Sequence, residues 1–294
     1  MRRYDIDSLR VIVFGLLIFY HVGMFFVLWD YHIKDTETHD GFVFPMLFLN
    51  QWRLSLLFVI SGIGTCYALR KRNGLQFAQE RIKKLLIPLI VGIILVVPPQ
   101  VYFERLDKNQ FNGNYFEFWP TEAFIGVYPE GNFSWHHLWF LPYLLIFSLI
   151  LIPVFLHLKK HPETWLIRQM QSLGSKNFGL YVLIIPLFLW ETLLAPVFPS
   201  NHALFNDWYN LVNYGTFFFF GYLFVSIKNV FWETVEKNKY KYLVCGLIAF
   251  PLLMVLWFAT SSFPGKSYVF SFCQSIQPLV MDTLPDRVFG CISQ

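Results

Sequence analysis

Residues 44–69, FPMLFLNQWRLSLLFVISGIGTCYAL, carry one charged side chain, Arg53, in an otherwise apolar run. A helix needs roughly 17–25 predominantly apolar residues to cross the hydrocarbon core of a bilayer, so this run predicts a membrane-spanning helix. Runs of similar character recur at 9–30, 85–103, 138–158, 177–198, 210–227 and 242–260, with basic segments between them. The whole 294-residue chain shares the bias, at 55% hydrophobic and 14% charged. An ordinary globular chain is about one quarter charged. One buried core cannot absorb that much apolar surface, which excludes a soluble domain. Disorder and nucleic-acid binding are excluded by the same abundance of Phe, Leu, Ile and Val. The net charge of +4 then reads as basic loops at a membrane surface. The predicted fold is all-α, a polytopic transmembrane bundle of about seven spans.

Lys and Arg divide unevenly among the loops. Seventeen fall on the N-terminal side of the predicted bundle and five on the other, with Arg53 inside a span. The excess of basic residues marks the cytoplasmic face, so the N-terminus is expected in the cytoplasm. Arg2 and Arg3 ahead of an apolar run resemble a signal peptide, but the run is too long and lacks a small-residue cleavage site. It is read as a retained first helix. Several spans contain proline, which membrane helices tolerate when neighbours satisfy the freed backbone groups. No repeat or linker divides the chain, so residues 1–260 read as one transmembrane domain. Residues 261–294, interrupted by Gln274, Gln277 and Pro278, read as an irregular C-terminal tail.

Ionisable residues at membrane depth are expensive and mark function. At 100° per residue, Arg10 and His21 fall within about 20° on the first helix, and Asp7 within about 40° of His21 on its other side. His21 lies roughly 16 Å deeper than Arg10. Such an imidazole either makes a helix–helix hydrogen bond or stays neutral and available as a base; Asp7 and Arg10 read as an interface pair. Arg53 is expected at a depth similar to His21, which suggests a polar cavity between the first two helices unless Arg53 snorkels outward. Ser61 lies in a small-residue stretch, Ser61-Gly62-Ile63-Gly64, that permits close helix packing or close ligand approach. His136, His137 and Trp139 open the fourth span. Trp139 fits an interfacial aromatic belt, while two adjacent histidines without a third ligand do not make a metal site, and none is expected.

Four segments in register resemble acyltransferase family 3, integral membrane O-acyltransferases. They are Asp7-Ser8-Leu9-Arg10 followed by His21; Arg53 through Gly62, similar to the family's Arg-(Met/Leu)-Pro-Leu-Phe-Phe-x-x-Ser-Gly helix, with Ser55 in place of the proline; Arg81-Ile82-Lys83-Lys84-Leu85-Leu86-Ile87-Pro88, with Lys84 in place of a second arginine; and His137-Leu138-Trp139-Phe140-Leu141, which leans toward the glucan-modifying, succinyltransferase-like branch. The resemblance implies about ten spans, so the last helices of the family are expected to be missing here, leaving His21 and Arg53 partly open to lipid and the short form impaired.

It also implies an activity: transfer of an acyl group from cytoplasmic acyl-CoA to a hydroxyl of a glycan or other acceptor at the outer face of a bacterial inner membrane. In that scheme His21 and Arg53 are catalytic, with His21 as base or proton relay and Arg53 stabilising an oxyanion or orienting the acceptor. Asp7, Arg10, Arg81 and Lys84 bind the donor, while Ser61, His137 and Trp139 line the acceptor side. Acyl-CoA is a substrate, and no bound cofactor is expected. The competing reading is a transporter or a non-catalytic membrane binding protein; a transporter predicts inverted repeats with broken helices in corresponding positions, which the sequence lacks.

Overall fold

The computed structural model describes residues 4–29, 31–176, 178–258 and 266–283. Among these residues there are eleven α-helices and no strand, only an isolated bridge between Val127 and Phe133. The helices are α1 (Tyr4–Gly23), α2 (Val43–Lys71), α3 (Gly74–Asp107), α4 (Tyr115–Thr121), α5 (Phe140–Ile150), α6 (Ile152–Lys160), α7 (Trp165–Gly174), α8 (Ile184–Leu193), α9 (Trp208–Ser226), α10 (Lys228–Phe258) and α11 (Lys266–Thr283). Short 3₁₀ turns lead into α5 and α8, at His136–Trp139 and Gly179–Leu183.

Among the described residues, three helices are long and apolar enough to cross a membrane: Asp40–Lys71, Gly74–Asp107 and Asn229–Phe258. A fourth crossing is formed if His136–Ile150 and Ile152–Lys160 make one span bent by 46°. Each of the seven expected stretches contains a helix among the described residues, but Ser8–Gly23 and Gly179–Leu193 are shorter apolar helices, so length and apolarity by themselves certify fewer crossings than seven. Many large apolar side chains on these helices are exposed, among them Phe19, Leu95, Leu247 and Val255. That inversion of the soluble pattern is what lipid as solvent demands.

Proline explains where the helices deform. A helical proline lacks an N–H and its ring collides with the carbonyl four residues back. In α3 those carbonyls belong to Lys84 for Pro88 and to Ile94 and Leu95 for Pro98 and Pro99. They fall inside the two π-turns Ile82–Leu86 and Gly92–Val96, whose wider winding relieves the collision without ending the helix. Pro153 sits at the first turn of α6, immediately after the bend at Leu151.

α2 is the axis of the bundle, with more than half of its side chains buried. It packs on α1, α9 and α11. The α2–α9 crossing depends on missing side chains: a Cβ on Gly62 would collide with the Phe218 carbonyl, and one on Gly221 with the Val59 carbonyl. Two backbones therefore approach through reciprocal glycines, the small-residue packing that apolar solvent favours. Phe58, fully buried one turn before Gly62, stacks on Tyr214 at 4.8 Å and meets Phe140 at 4.5 Å.

The tail expectation is corrected over 266–283, which form helix α11 against α10, α2 and α8. The glutamines that looked like breakers face the bundle, Gln274 lining a cavity within it. Gln277 is buried and its Nε2 donates to the Gly246 carbonyl of α10 at 2.8 Å. Pro278 is accommodated within the helix. Residues 284–294 lie outside the described residues.

Candidate functional site

α1 and α2 run antiparallel, and their register decides which polar groups meet. Near one end, the position of a Cβ on Gly64 would lie 3.7 Å from an Arg10 guanidinium nitrogen. Toward the other end, the Arg53 guanidinium carbon lies 3.4 Å from the centre of the Tyr20 ring. Beyond it, Met46 packs into the space left by Gly23.

Arg53 is 6% exposed. It donates from Nη1 to Asn50 Oδ1 at 2.7 Å, an oxygen that also accepts from the Tyr20 hydroxyl at 3.3 Å. Its Nε is buried with no hydrogen-bond partner. A buried cation with one unspent donor is costly unless something anionic or strongly polar meets it. Arg53 borders a cavity of about 390 Å³ between α2, α8, α9, α10 and α11, lined also by Tyr20, Trp139, Glu191, His202 and Tyr209. Gln274, Ser275 and Pro278 of α11 complete the wall, so Arg53 is covered rather than open to lipid, contrary to the expectation from sequence.

The cavity is roofed by the loop between α8 and α9. Its anchor is Asp207, wholly buried, which accepts from the Tyr143 hydroxyl, the His202 backbone N–H at 3.0 Å and Asn210 Nδ2 at 3.0 Å. Neutral donors surround this carboxylate, the usual way a buried charge is tolerated. The His202 ring packs on Trp139, centroids 4.1 Å apart. Burial pushes the His202 imidazole below its ordinary range, with Asp207 pulling the other way.

His21 faces elsewhere. Its ring meets that of His137 edge-on at 6.2 Å, and His137 Nδ1 lies 3.1 Å from Gln100 Oε1. His21 Nδ1 donates to the Leu17 carbonyl at 2.7 Å; a carbonyl only accepts, so the Nδ1–H tautomer is selected and the lone pair is left on Nε2. The expected pairing of His21 with Arg53 is thus displaced by one residue, with Tyr20 in contact and His21 on the adjoining face. Successive helical residues diverge by about 100°, so one position decides which neighbour is met. His21 is not among the residues lining the Arg53 cavity. Trp139 joins the two regions, lining the cavity two positions after His137.

The remaining expected residues divide. Ser61 donates its hydroxyl to the Leu57 carbonyl at 2.7 Å and does not line the cavity; its stretch serves helix packing through Gly62. Arg81 donates to Thr65 Oγ1 at 3.0 Å, which brings Arg10 and Arg81 to neighbouring residues of α2, Gly64 and Thr65, within electrostatic reach of each other. Lys84 does not join them. Its ammonium bonds Glu80 at 2.6 Å on an exposed face, where Arg72 also pairs with Glu80 at 2.6 Å. The side chain of Asp7 lies outside the described residues.

Sequence reading missed Tyr20, Asn50, Tyr143, His202 and Asp207. Asn50 had a signal, standing one helical turn before Arg53 on the same face. Asp207 and His202 had none, because their contacts span α5, the loop and α9.

Comparison with known proteins agrees with this geometry at the level of family. Over 168 residues the chain is 28% identical to the protein named Glucans biosynthesis protein C in Salmonella paratyphi B, Salmonella heidelberg and Salmonella agona. The alignment covers 55% of this chain and 41% of each relative, so the chain spans less than half the length of the curated relatives it matches. No solved structure matches. The acyltransferase domain of family 3 matches residues 3–284, almost from end to end, and the chain belongs to that family.

Proposed function

We propose that this chain is a multi-pass membrane O-acyltransferase that takes an acyl group from cytoplasmic acyl-CoA and transfers it to a hydroxyl of a glycan at the outer face of a bacterial inner membrane. The observation that carries this reading is the division of labour along α1. Two guanidinium groups, Arg10 and Arg81, converge at the basic end, and an imidazole whose Nδ1 is turned to the Leu17 carbonyl, His21, stands eleven residues after Arg10. Eleven helical residues rise about 16 Å.

Each end suits one partner. A nucleotide donor is too charged to enter lipid and stays where cations gather; two arginines give charge-assisted contacts to phosphate. Its thioester-bearing arm reaches along α1 toward His21. An acceptor hydroxyl entering from the opposite side gives its proton to His21 Nε2 as its oxygen attacks the thioester carbonyl. The carbon–sulfur bond breaks, the thiolate leaves, and the proton on His21 returns to it, so the imidazole is regenerated. His137, ring to ring with His21, and Trp139 shape the acceptor side. Arg53, with an unspent Nε donor, orients the acceptor from the adjoining cavity or stabilises developing negative charge. The name of the Salmonella relatives supports a glucan as the acceptor class.

The test is turnover of radiolabelled acetyl- and succinyl-CoA by the purified protein, with and without a periplasmic-type glucan. Acceptor-dependent transfer of label supports the reading. No label transferred by folded, donor-binding protein, with any polysaccharide hydroxyl acceptor, overturns it.

A further inference from the structure

Near the His21–His137 pair, three segments distant in sequence bring together a second cluster. His32 comes from the loop after α1, Glu104 from the last turn of α3, and His136 from the 3₁₀ turn before α5. Their ligand atoms all lie within 4.8 Å of one another. Glu104 is wholly buried. One of its oxygens, Oε2, lies 2.8 Å from His32 Nδ1; the other takes Lys108 Nζ at 2.6 Å and the Tyr128 hydroxyl at 3.1 Å. The His32 and His136 rings lie nearly parallel, 14° apart with centroids at 4.6 Å. His136 Nε2 is buried with no hydrogen-bond partner.

A buried imidazole nitrogen without a partner, beside a carboxylate and a second imidazole, is an anomaly for a purely structural network. Two imidazoles and one carboxylate are, however, the donor set of three-ligand zinc sites, which leave a fourth position for water. Calcium and magnesium prefer oxygen shells, so two nitrogen donors select a transition-metal dication. Lys108 and Tyr128 bond the far oxygen of Glu104, Tyr128 also standing 3.2 Å from His32 Nδ1, and both orient the cluster as outer-shell partners commonly do. The His32 side chain is 31% exposed, which gives an ion a way in.

We propose that His32, Glu104 and His136 form a binding site for one zinc-type dication. The ion replaces the His32–Glu104 hydrogen bond, engages the orphaned nitrogen of His136, and ties the loop after α1 to α3 and to the turn that carries His137. Its role is to hold the outer ends of the helices around His21. The proposal does not depend on acyl transfer, since it concerns metal content.

The experiment uses tag-free full-length chain in detergent, stripped with a chelator, dialysed against micromolar zinc and analysed for metal by mass spectrometry. The expected result is one zinc per chain, with E104Q and H136Q weakening retention by 100-fold or more. H157Q, which alters the separate His157–His161 pair at the opposite end, retains zinc as wild type does. Cobalt substitution of the wild-type protein gives a second measurement independent of how the variants fold: a strong visible absorption from a four-coordinate ion, quenched by competing zinc. Folded wild-type protein that takes up neither ion, or folded E104Q and H136Q that retain zinc like wild type, overturns the proposal.

Discussion

The two ends of the α1–α2 pair both hold arginine, in opposite settings. At the basic end Arg10 and Arg81 stand beside Gly64 and Thr65, near enough for like charges to repel. At the far end Arg53 is buried against Tyr20 and Asn50, with one donor left over and a polar cavity before it. The first arrangement gathers charge and suits a partner carrying several negative groups. The second buries one charge against a phenol ring and an amide, at a cavity whose wall also holds Glu191, where a single ligand oxygen makes the greatest difference. The same residue type is thus fitted for bulk affinity at one end and for a localised interaction at the other. Between them stands His21, neither in contact with Arg53 nor lining the cavity, with its ring against that of His137.

The largest effect that would sharpen this contrast is at His21. Replacing it with Ala is expected to lower acyl transfer by roughly 10²–10⁴-fold, the usual contribution of a general base, with donor affinity unchanged. Near-normal turnover in a folded His21→Ala protein would assign the imidazole to packing alone. At the opposite end, Arg10→Ala is expected to weaken donor binding by about 1.5–3 kcal/mol, the scale of a hydrogen bond to a charged group. Titration with acyl-CoA at fixed salt reads this directly; equal affinity for mutant and wild type breaks the assignment of the two ends.

A smaller effect tests what holds the two ends in register. Gly62→Ala forces a methyl group into the Phe218 carbonyl and is expected to cost about 1–3 kcal/mol, as overpacking does. Thermal unfolding in detergent measures it, and an unchanged midpoint would mean that α2 and α9 separate freely. The smallest effect belongs to Lys84. Its exposed pair with Glu80 is worth ~0.5 kcal/mol or less, so Lys84→Ala is expected to leave both stability and donor affinity nearly unchanged. A tenfold loss of affinity would return Lys84 to the donor site, beside Arg10 and Arg81.

Local pattern made much of this molecule legible. Length and apolarity identified α2 and α3, and the spacing of Arg10, His21 and Arg53 put a polar seam between the first two helices. These are properties of single segments: a run of apolar side chains forms a helix in lipid whatever surrounds it, and residues eleven apart share a face on any helix. The 266–283 segment was misread for the converse reason. Gln277 and Pro278 look like breakers in one dimension, and only α10 shows that the glutamine amide has a carbonyl to bond.

An all-α membrane bundle, with cations at one end of α1 and an imidazole near the other, thus follows from local pattern without any knowledge of the fold. The tertiary structure decided the partners. It turned Tyr20 rather than His21 toward Arg53, because one step of a helix is 100°. It folded Asp207 and His202 over the Arg53 cavity, and it gathered His32, Glu104 and His136 from three separate segments. Contacts of that kind follow from register and loop path, which no local periodicity encodes.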